Sequence, residues 1–159
     1  MLSERVIGKK AWVTGAAHGI GRASAWALAE AGADVAISDI NEKGLEETAE
    51  YIRKLGRKAL VLPADITKEN EIEETINTIV DKWGKLDIAY CNAGTFQDIP
   101  AEDMPLEEFE RVIKVNLTGA FISSRAAGKA MIKQKKRKYY PYCIYVRTYS
   151  QYSTMPMCI

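Results

Sequence analysis

Histidine occurs once, as His18, and cysteine three times, at Cys91, Cys143 and Cys158, an odd number without metal-ligand spacing. That scarcity excludes a disulfide framework and a zinc site, and it leaves the cysteines as free thiols. No apolar run approaches the roughly 18 residues of a membrane span, and Met1 to Lys10 lacks the apolar core of a signal peptide. A cytoplasmic protein without a membrane partner is expected. No low-complexity linker or internal repeat divides the 159 residues, and 47% apolar with 27% charged side chains suits one globular core. Acidic residues are missing from position 129 onward, where seven basic side chains stand alone, whereas residues 1–128 carry 15 basic and 21 acidic ones. Leucine, glycine and alanine stop as well, at Leu117, Gly128 and Ala130, while six of the eight tyrosines follow Lys138. The chain changes character near residue 130.

Before that point, apolar strands and amphipathic helices alternate. Lys10 to Thr14, Asp34 to Asp39, Ala59 to Leu62 and Leu86 to Cys91 read as buried strands. The first helix is expected over about Gly19 to Ala31, with Ile20, Ala23, Ala27 and Ala31 as its packing face. The second is capped near Asn41, with Leu45, Thr48, Ala49, Ile52 and Leu55 on one side. Thr67 is the expected N-cap of the third, whose stripe is Ile72, Ile76, Ile79, Val80 and Trp83. Pro105 can open a fourth, with Leu106, Phe109, Val112 and Ile113 at helical spacing, and a fifth runs from Leu117 toward Lys135. Four strand-helix alternations argue a doubly wound, Rossmann-like parallel sheet, truncated after about four strands.

Three glycines fall within seven residues where the first strand meets its helix, in Thr14-Gly15-Ala16-Ala17-His18-Gly19-Ile20-Gly21. Gly15 lets the chain reverse, Gly19 lets backbone N–H groups approach a pyrophosphate, and Gly21 brings helix and strand together. The helix N-terminus then offers free N–H groups and a positive dipole end to phosphate. The alternative is a tight turn with no ligand. Asp39 lies 18 residues after Gly21, near the spacing at which an acidic residue accepts hydrogen bonds from a ribose. Its carboxylate would repel a 2′-phosphate and favour NAD over NADP, unless it is simply a solvated residue near a helix start. Asp65 and Asn92 follow the third and fourth strands, so four motif positions share the carboxyl ends of the sheet, where ligands of such sheets bind.

With these residues in place, the chain over 5 to about 136 resembles the short-chain dehydrogenase/reductase family. The family's Thr-Gly-x-x-x-Gly-x-Gly stands as Thr14 to Gly21, its Asp before a hydrophobic residue as Asp65-Ile66, and its Asn-Ala-Gly as Asn92-Ala93-Gly94. Its helical Asn stands as Asn116, within Val115-Asn116-Leu117-Thr118-Gly119-Ala120. The resemblance implies a cofactor site drawn from Thr14, Gly15, His18, Gly19, Ile20, Gly21, Asp39, Asp65, Ile66, Asn92, Ala93 and Gly94. Asp65 and Ile66 would border the adenine, and Asn92 to Gly94 would support the central strand. Asn116 would be the one member of the catalytic tetrad present. Read alone, Asn92 is equally a turn residue and Asn116 a mid-helix polar residue satisfied locally. The implied activity is hydride transfer between NAD(P) and a small-molecule alcohol or ketone. A homo-oligomer is implied for the intact family enzyme but is not expected of this chain.

The family's other catalytic members are a Ser after the fifth strand and a Tyr-x-x-x-Lys on the next helix; no Tyr-x-x-x-Lys occurs here, and no Lys follows Lys138. Residues 1–136 therefore read as an incomplete dinucleotide-binding domain, and 137–159 as a basic, tyrosine-rich tail foreign to the family. The chain is expected to be catalytically incompetent. Two rivals stand beside that: a non-catalytic nucleotide-binding or interaction module, in which Tyr142 to Val146, with its strand propensity, fills the fifth-strand place, and an unstable product whose fourth strand is an open edge and whose fifth helix lacks partners. The run Lys133, Lys135, Lys136, Arg137, Lys138 invites a nucleic-acid partner, but a basic helix C-terminus meeting the dipole explains it without one. A frameshift explains more. With one extra base in the A-rich codons of Lys135 and Lys136, reading one base later from Arg137 to Arg147 permits Gly-Asn-Ile-Ile-His-Ile-Ala-Ser-Met-Ser-Gly, the family's glycine, fifth strand and serine. The coding bases of codons 135 to 159 test this: they are expected to spell a family-like fifth strand in the alternative frame, and any other spelling ends the idea.

Overall fold

The computed structural model describes residues 6–134 and the backbone of 143–146. Five strands form one parallel sheet in the order β3-β2-β1-β4-β5: β1 (Lys10–Thr14), β2 (Asp34–Ser38), β3 (Ala59–Val61), β4 (Ile88–Cys91) and β5 (Cys143–Val146). Helices α1 (Gly19–Glu30), α2 (Glu42–Lys54), α3 (Glu69–Trp83), α4 (Leu106–Ile113) and α5 (Ala120–Gln134) connect them, and a π-helical turn, Lys114–Gly119, joins α4 to α5. The chain order reverses across β1 and β4, so residues following β1, β2 and β4 emerge side by side at the same end of the sheet.

The middles of β1, β2 and β4 are apolar because both faces of the sheet are covered there. In β1, Ala11 and Val13 point to α1 and α2, in a core with Ala25, Ala29, Val35, Ile37, Leu45, Ala49 and Ile52. Trp12 points the other way, joining Ile72, Ile76 and Ile79 of α3, and Ile122, Ala126, Ala127 and Met131 of α5. Each of the larger aliphatic side chains buried here stabilises the fold by roughly 1.5–3 kcal/mol relative to exposure. Trp12 is fully buried, and its indole N–H donates to Ser38 Oγ at 2.9 Å, so the large ring carries no unmet polar group into the core. Cys91 is a free thiol in this layer; burial pushes it up to about 11 despite a hydrogen bond with Ser124, which makes it an inert packing residue.

The doubly wound, Rossmann-like parallel sheet is as expected, its four strands extended by one more, and several finer expectations need correction. Cys143–Val146 pairs in parallel with Ile88–Cys91, so β4 is not an edge. The packing face of α1 is Gly21, Ala25 and Ala29, whereas Ala23 and Ala27 are exposed and Ile20 is half exposed. With alanine at every second position from Ala23 to Ala29, the periodicity has little contrast, and the phase is set instead by Gly21 docking on the turn. Thr67 is not the cap of α3: its N–H and hydroxyl both donate to Asp65 Oδ1, at 2.9 and 2.8 Å, and the helix starts two residues later after Lys68. Asn41 does cap α2, its Oδ1 accepting from Gly44 N–H at 3.0 Å. The helical stretch expected from Leu117 is present, π-helical to Gly119 and continuing as α5, and it is well partnered, with Ala120, Ile122, Ser123, Ala126, Ala127 and Met131 buried. On α4, by contrast, Leu106, Phe109 and Ile113 are exposed. Among the described residues no helix is long and apolar enough to cross a membrane. Cys158 lies outside the described residues.

Candidate functional site

The glycine turn is shaped by two very close approaches and one opening. At Gly15, φ is +67° and an added Cβ would stand 2.8 Å from Ala93 Cα. At Gly21 it would stand 2.0 Å from Gly15 O and 2.7 Å from Asn92 Nδ2, distances that no side chain can occupy. Gly19 also has a positive φ, +55°, but a Cβ there would meet nothing within 4 Å. Gly15 and Gly21 thus clamp β1, α1 and the loop after β4 together, while Gly19 faces open space. The N-cap of α1 is exposed His18, which makes no side-chain cap bond. The first-turn N–H groups of α1 therefore have neither an intrahelical acceptor nor a side-chain cap, and they collect the positive end of the helix dipole.

Thr14 and Asn92 face inward. Ala93 N–H donates to Thr14 Oγ1 at 3.0 Å, and Asn92 Nδ2 donates to Thr14 O at 3.2 Å. The other amide atom, Asn92 Oδ1, is buried and has no partner among the described residues. These bonds tie the ends of β1 and β4, and Gly94 then emerges into solvent. Asp39, half-buried after β2, accepts from Ala17 N–H at 3.2 Å and from Asn41 N–H at 3.0 Å, one on each carboxylate oxygen. Its carboxylate is therefore fastened to the glycine turn.

Asp65 follows β3 through a loop anchored by Ala64 N–H on Asp39 O, 3.1 Å. Partial burial raises its pKa, but the Thr67 amide and hydroxyl, with Lys68 and Lys114 nearby, outweigh this and hold it below the ordinary 3.8. Ile66 is buried, its Cδ1 lying 2.7 Å from where a Cβ on Gly119 would be, so its side chain packs in the core beneath the loop. Asn116 lies in the π-helical turn, a feature often found at functional sites. Its Oδ1 accepts from Thr95 N–H at 2.7 Å and its Nδ2 donates to Thr95 O at 2.8 Å. Both ends of the amide hold the loop that follows Gly94.

The sheet thus gathers Gly15, Gly19, Gly21, Asp39, Asn92 and Gly94 at one end, with Asn116 linked to them through Thr95, while the Ile66 side chain is turned away. Sequence reasoning missed Arg22 and Thr95. Arg22 directly follows Gly21 and reaches α2, where its Nε–H donates to Thr48 Oγ1 at 3.1 Å. Thr95 is polarised on both sides, since Arg111 Nη1 donates to its hydroxyl at 3.3 Å. Arg22's place beside the glycines was the available signal; nothing in the sequence marked Thr95.

Over most of its length the chain is similar to known proteins. Residues 9–138 match the short chain dehydrogenase family model. A short-chain dehydrogenase/reductase of Armillaria gallica is 42% identical over 131 residues, covering 81% of this chain and 50% of that protein. Among solved structures, a short-chain type dehydrogenase/reductase of Mycobacterium marinum superposes with a TM-score of 0.80 at 40% identity, covering 82% of this chain and 53% of the other. A hydroxysteroid dehydrogenase of Escherichia coli gives 0.77 at 37% identity, covering 82% and 55%. The chain spans about half the length of the relatives it matches.

Two outcomes follow from the geometry. Gly21→Ala forces α1 off the turn and is expected to lower stability by about 3 kcal/mol in urea unfolding; an unchanged midpoint would show that the turn yields without cost. Asp65, held below 3.8, stabilises the fold fully above that value and loses this contribution as pH falls through its folded pKa. Asp65→Asn is accordingly expected to flatten the acid limb of stability below about pH 4, measured by urea unfolding at a series of pH values; an unaltered limb would overturn it.

Proposed function

The chain belongs to the short-chain dehydrogenase family, and we propose that it is the nucleotide-binding half of an NAD-dependent oxidoreductase acting on a secondary alcohol or ketone in the cytoplasm. The observation that carries this reading is the pairing of an uncapped, open helix N-terminus with an acceptor fastened beside it. The first-turn N–H groups of α1 suit an anionic diphosphate, and the lack of a side chain at Gly19 leaves room for it. Asp39 presents lone pairs left over after Ala17 and Asn41, suited to ribose hydroxyls, and its charge disfavours a 2′-phosphate. The donor set thus fits a dinucleotide, with NAD preferred over NADP.

When bound, a nicotinamide supplies the hydride acceptor or donor. The chain's own residues bind and orient. Gly15 and Gly21 hold the cradle, Asn92 and Ala93 hold the adjoining strand ends, and Asn116 fixes the loop at Thr95. General acid-base catalysis needs a group within hydrogen-bond reach of the reacting oxygen. The family's tyrosine and lysine for that task have no counterpart in these 159 residues. This chain is accordingly expected to bind NAD without turning it over. A second reading, a stable non-catalytic nucleotide-binding module, draws support from β5, which covers the edge that β4 would otherwise expose.

Calorimetric titration of the purified chain tests both. Saturable NAD binding with weaker NADP binding is expected. Asp39→Ala should weaken NAD binding about tenfold, as loss of a charged hydrogen-bond acceptor does, and narrow the gap to NADP. Absence of binding overturns the reading. NAD-linked turnover of an alcohol by this chain overturns its incompetence.

A further inference from the structure

Arg22 stands in the first turn of α1, immediately after the glycines, yet the edge of its guanidinium carrying Nε and Nη2 faces α2. Nε–H donates to Thr48 Oγ1 at 3.1 Å, and the two N–H groups of Nη2 are shared among Ala17 O, Gly44 O at 3.2 Å and Glu47 Oε2 at 3.0 Å. Thr48 is fully buried, and its hydroxyl lies 2.8 Å from Ala16 O and 2.9 Å from Gly44 O, its single proton serving one at a time. A Cβ on Gly44 would stand 2.7 Å from Ala17 O, so α2 and the turn are already in contact. The Ala16 carbonyl is thereby claimed by Thr48 of α2 and the Ala17 carbonyl by Arg22 of α1, while the Ala17 N–H is claimed by Asp39.

The ion pair with Glu47 is not the important part. Glu47 is about half exposed, with 53% of its side-chain surface open, and such surface pairs are worth less than about 1 kcal/mol. The charge-assisted bonds to Ala17 O and Thr48 Oγ1 lie deeper and are directional, because the guanidinium is a planar fork. A lysine could reach one of these acceptors but not hold several in one plane.

We propose that Arg22 is a positioning residue of the dinucleotide site, which fixes the spacing between the glycine turn and Asp39 and thereby sets the discrimination between a ribose bearing a free 2′-hydroxyl and one bearing a 2′-phosphate. The proposal rests on the reading that a dinucleotide lies at this turn. In this proposal Arg22 needs no contact of its own with the dinucleotide, since its Nε and Nη2 donors are spent on Thr48, Ala17, Gly44 and Glu47. It acts through Ala17, whose amide donates to Asp39 and whose carbonyl accepts from Arg22. Releasing the carbonyl lets residues 16–18 drift, and Asp39 loses one of the two N–H groups that aim it.

The experiment compares the full chain with Arg22→Lys and Thr48→Val. NAD and NADP dissociation constants are measured by calorimetry, and backbone amide exchange is measured without ligand. Arg22→Lys is expected to raise the NAD dissociation constant about tenfold and to lower the ratio of NADP to NAD constants. Thr48→Val should move both the same way by less. Amide exchange is expected to quicken at residues 16–19 and 39–41. A merely structural role would reduce the folded fraction but leave the ratio unmoved. The proposal is overturned if both variants keep the wild-type ratio, or if faster exchange stays within α2. Should Arg22→Lys fail to fold, Thr48→Val decides. If the wild-type chain binds no dinucleotide, the functional reading falls, and exchange alone still upholds or overturns the coupling of Arg22 to Asp39.

Discussion

The approach of α1 to the turn that follows β1 is the constraint from which the rest of the candidate site takes its shape. With a Cβ at Gly21 reaching to 2.0 Å from Gly15 O, helix and turn are in backbone contact, and Asn92 Nδ2 closes the third side. That contact fixes the phase of α1, which otherwise has little to choose between its many alanines. It also sets where the first-turn N–H groups point. Everything at the carboxyl end of the sheet is then referred to this contact: Asn92 through Thr14, Asp39 through Ala17, and α2 through Arg22 and Thr48.

The polar groups around it are largely turned toward backbone. Thr14, Asn92 and Asn116 are residues a sequence reader assigns to a cofactor or a reaction, yet their side chains bind Ala93, Thr14 and Thr95 backbone atoms. Buried polar groups left unpaired are costly, so these bonds make the loops after β1 and β4 rigid in a single arrangement. Groups left outward are few: the α1 N–H groups, the unshared lone pairs of Asp39, and the open face at Gly19. In the function proposed above, backbone and one carboxylate would select the ligand, while the side chains behind them hold the geometry.

Strand and helix identities were legible because both sheet faces are covered. The apolar runs at Trp12, Ile37 and Ala89 have no other use, and the stripe Ile72, Ile76, Ile79 has one face to bury. Exposure was not legible. Leu106, Phe109 and Ile113 carry the same periodicity as a buried stripe and are exposed, since spacing shows that a face is apolar but not whether anything lies against it. Likewise Thr67 has the chemistry of a cap, and only the position of the Asp65 carboxylate shows that its donors are taken.

By itself, the sequence determined the alternation of elements, the three glycines at one strand end, the acidic residue after the second strand and the change of character near residue 130, because each depends on residue type and spacing along the chain. Tertiary structure alone decided which glycines are packing contacts and which is open, that Ile66 faces the core, that Cys143–Val146 joins the sheet beside β4, and that Arg22 belongs to the glycine turn through α2. These are meetings between residues distant in the chain, and the side-chain chemistry of either partner alone does not name the other.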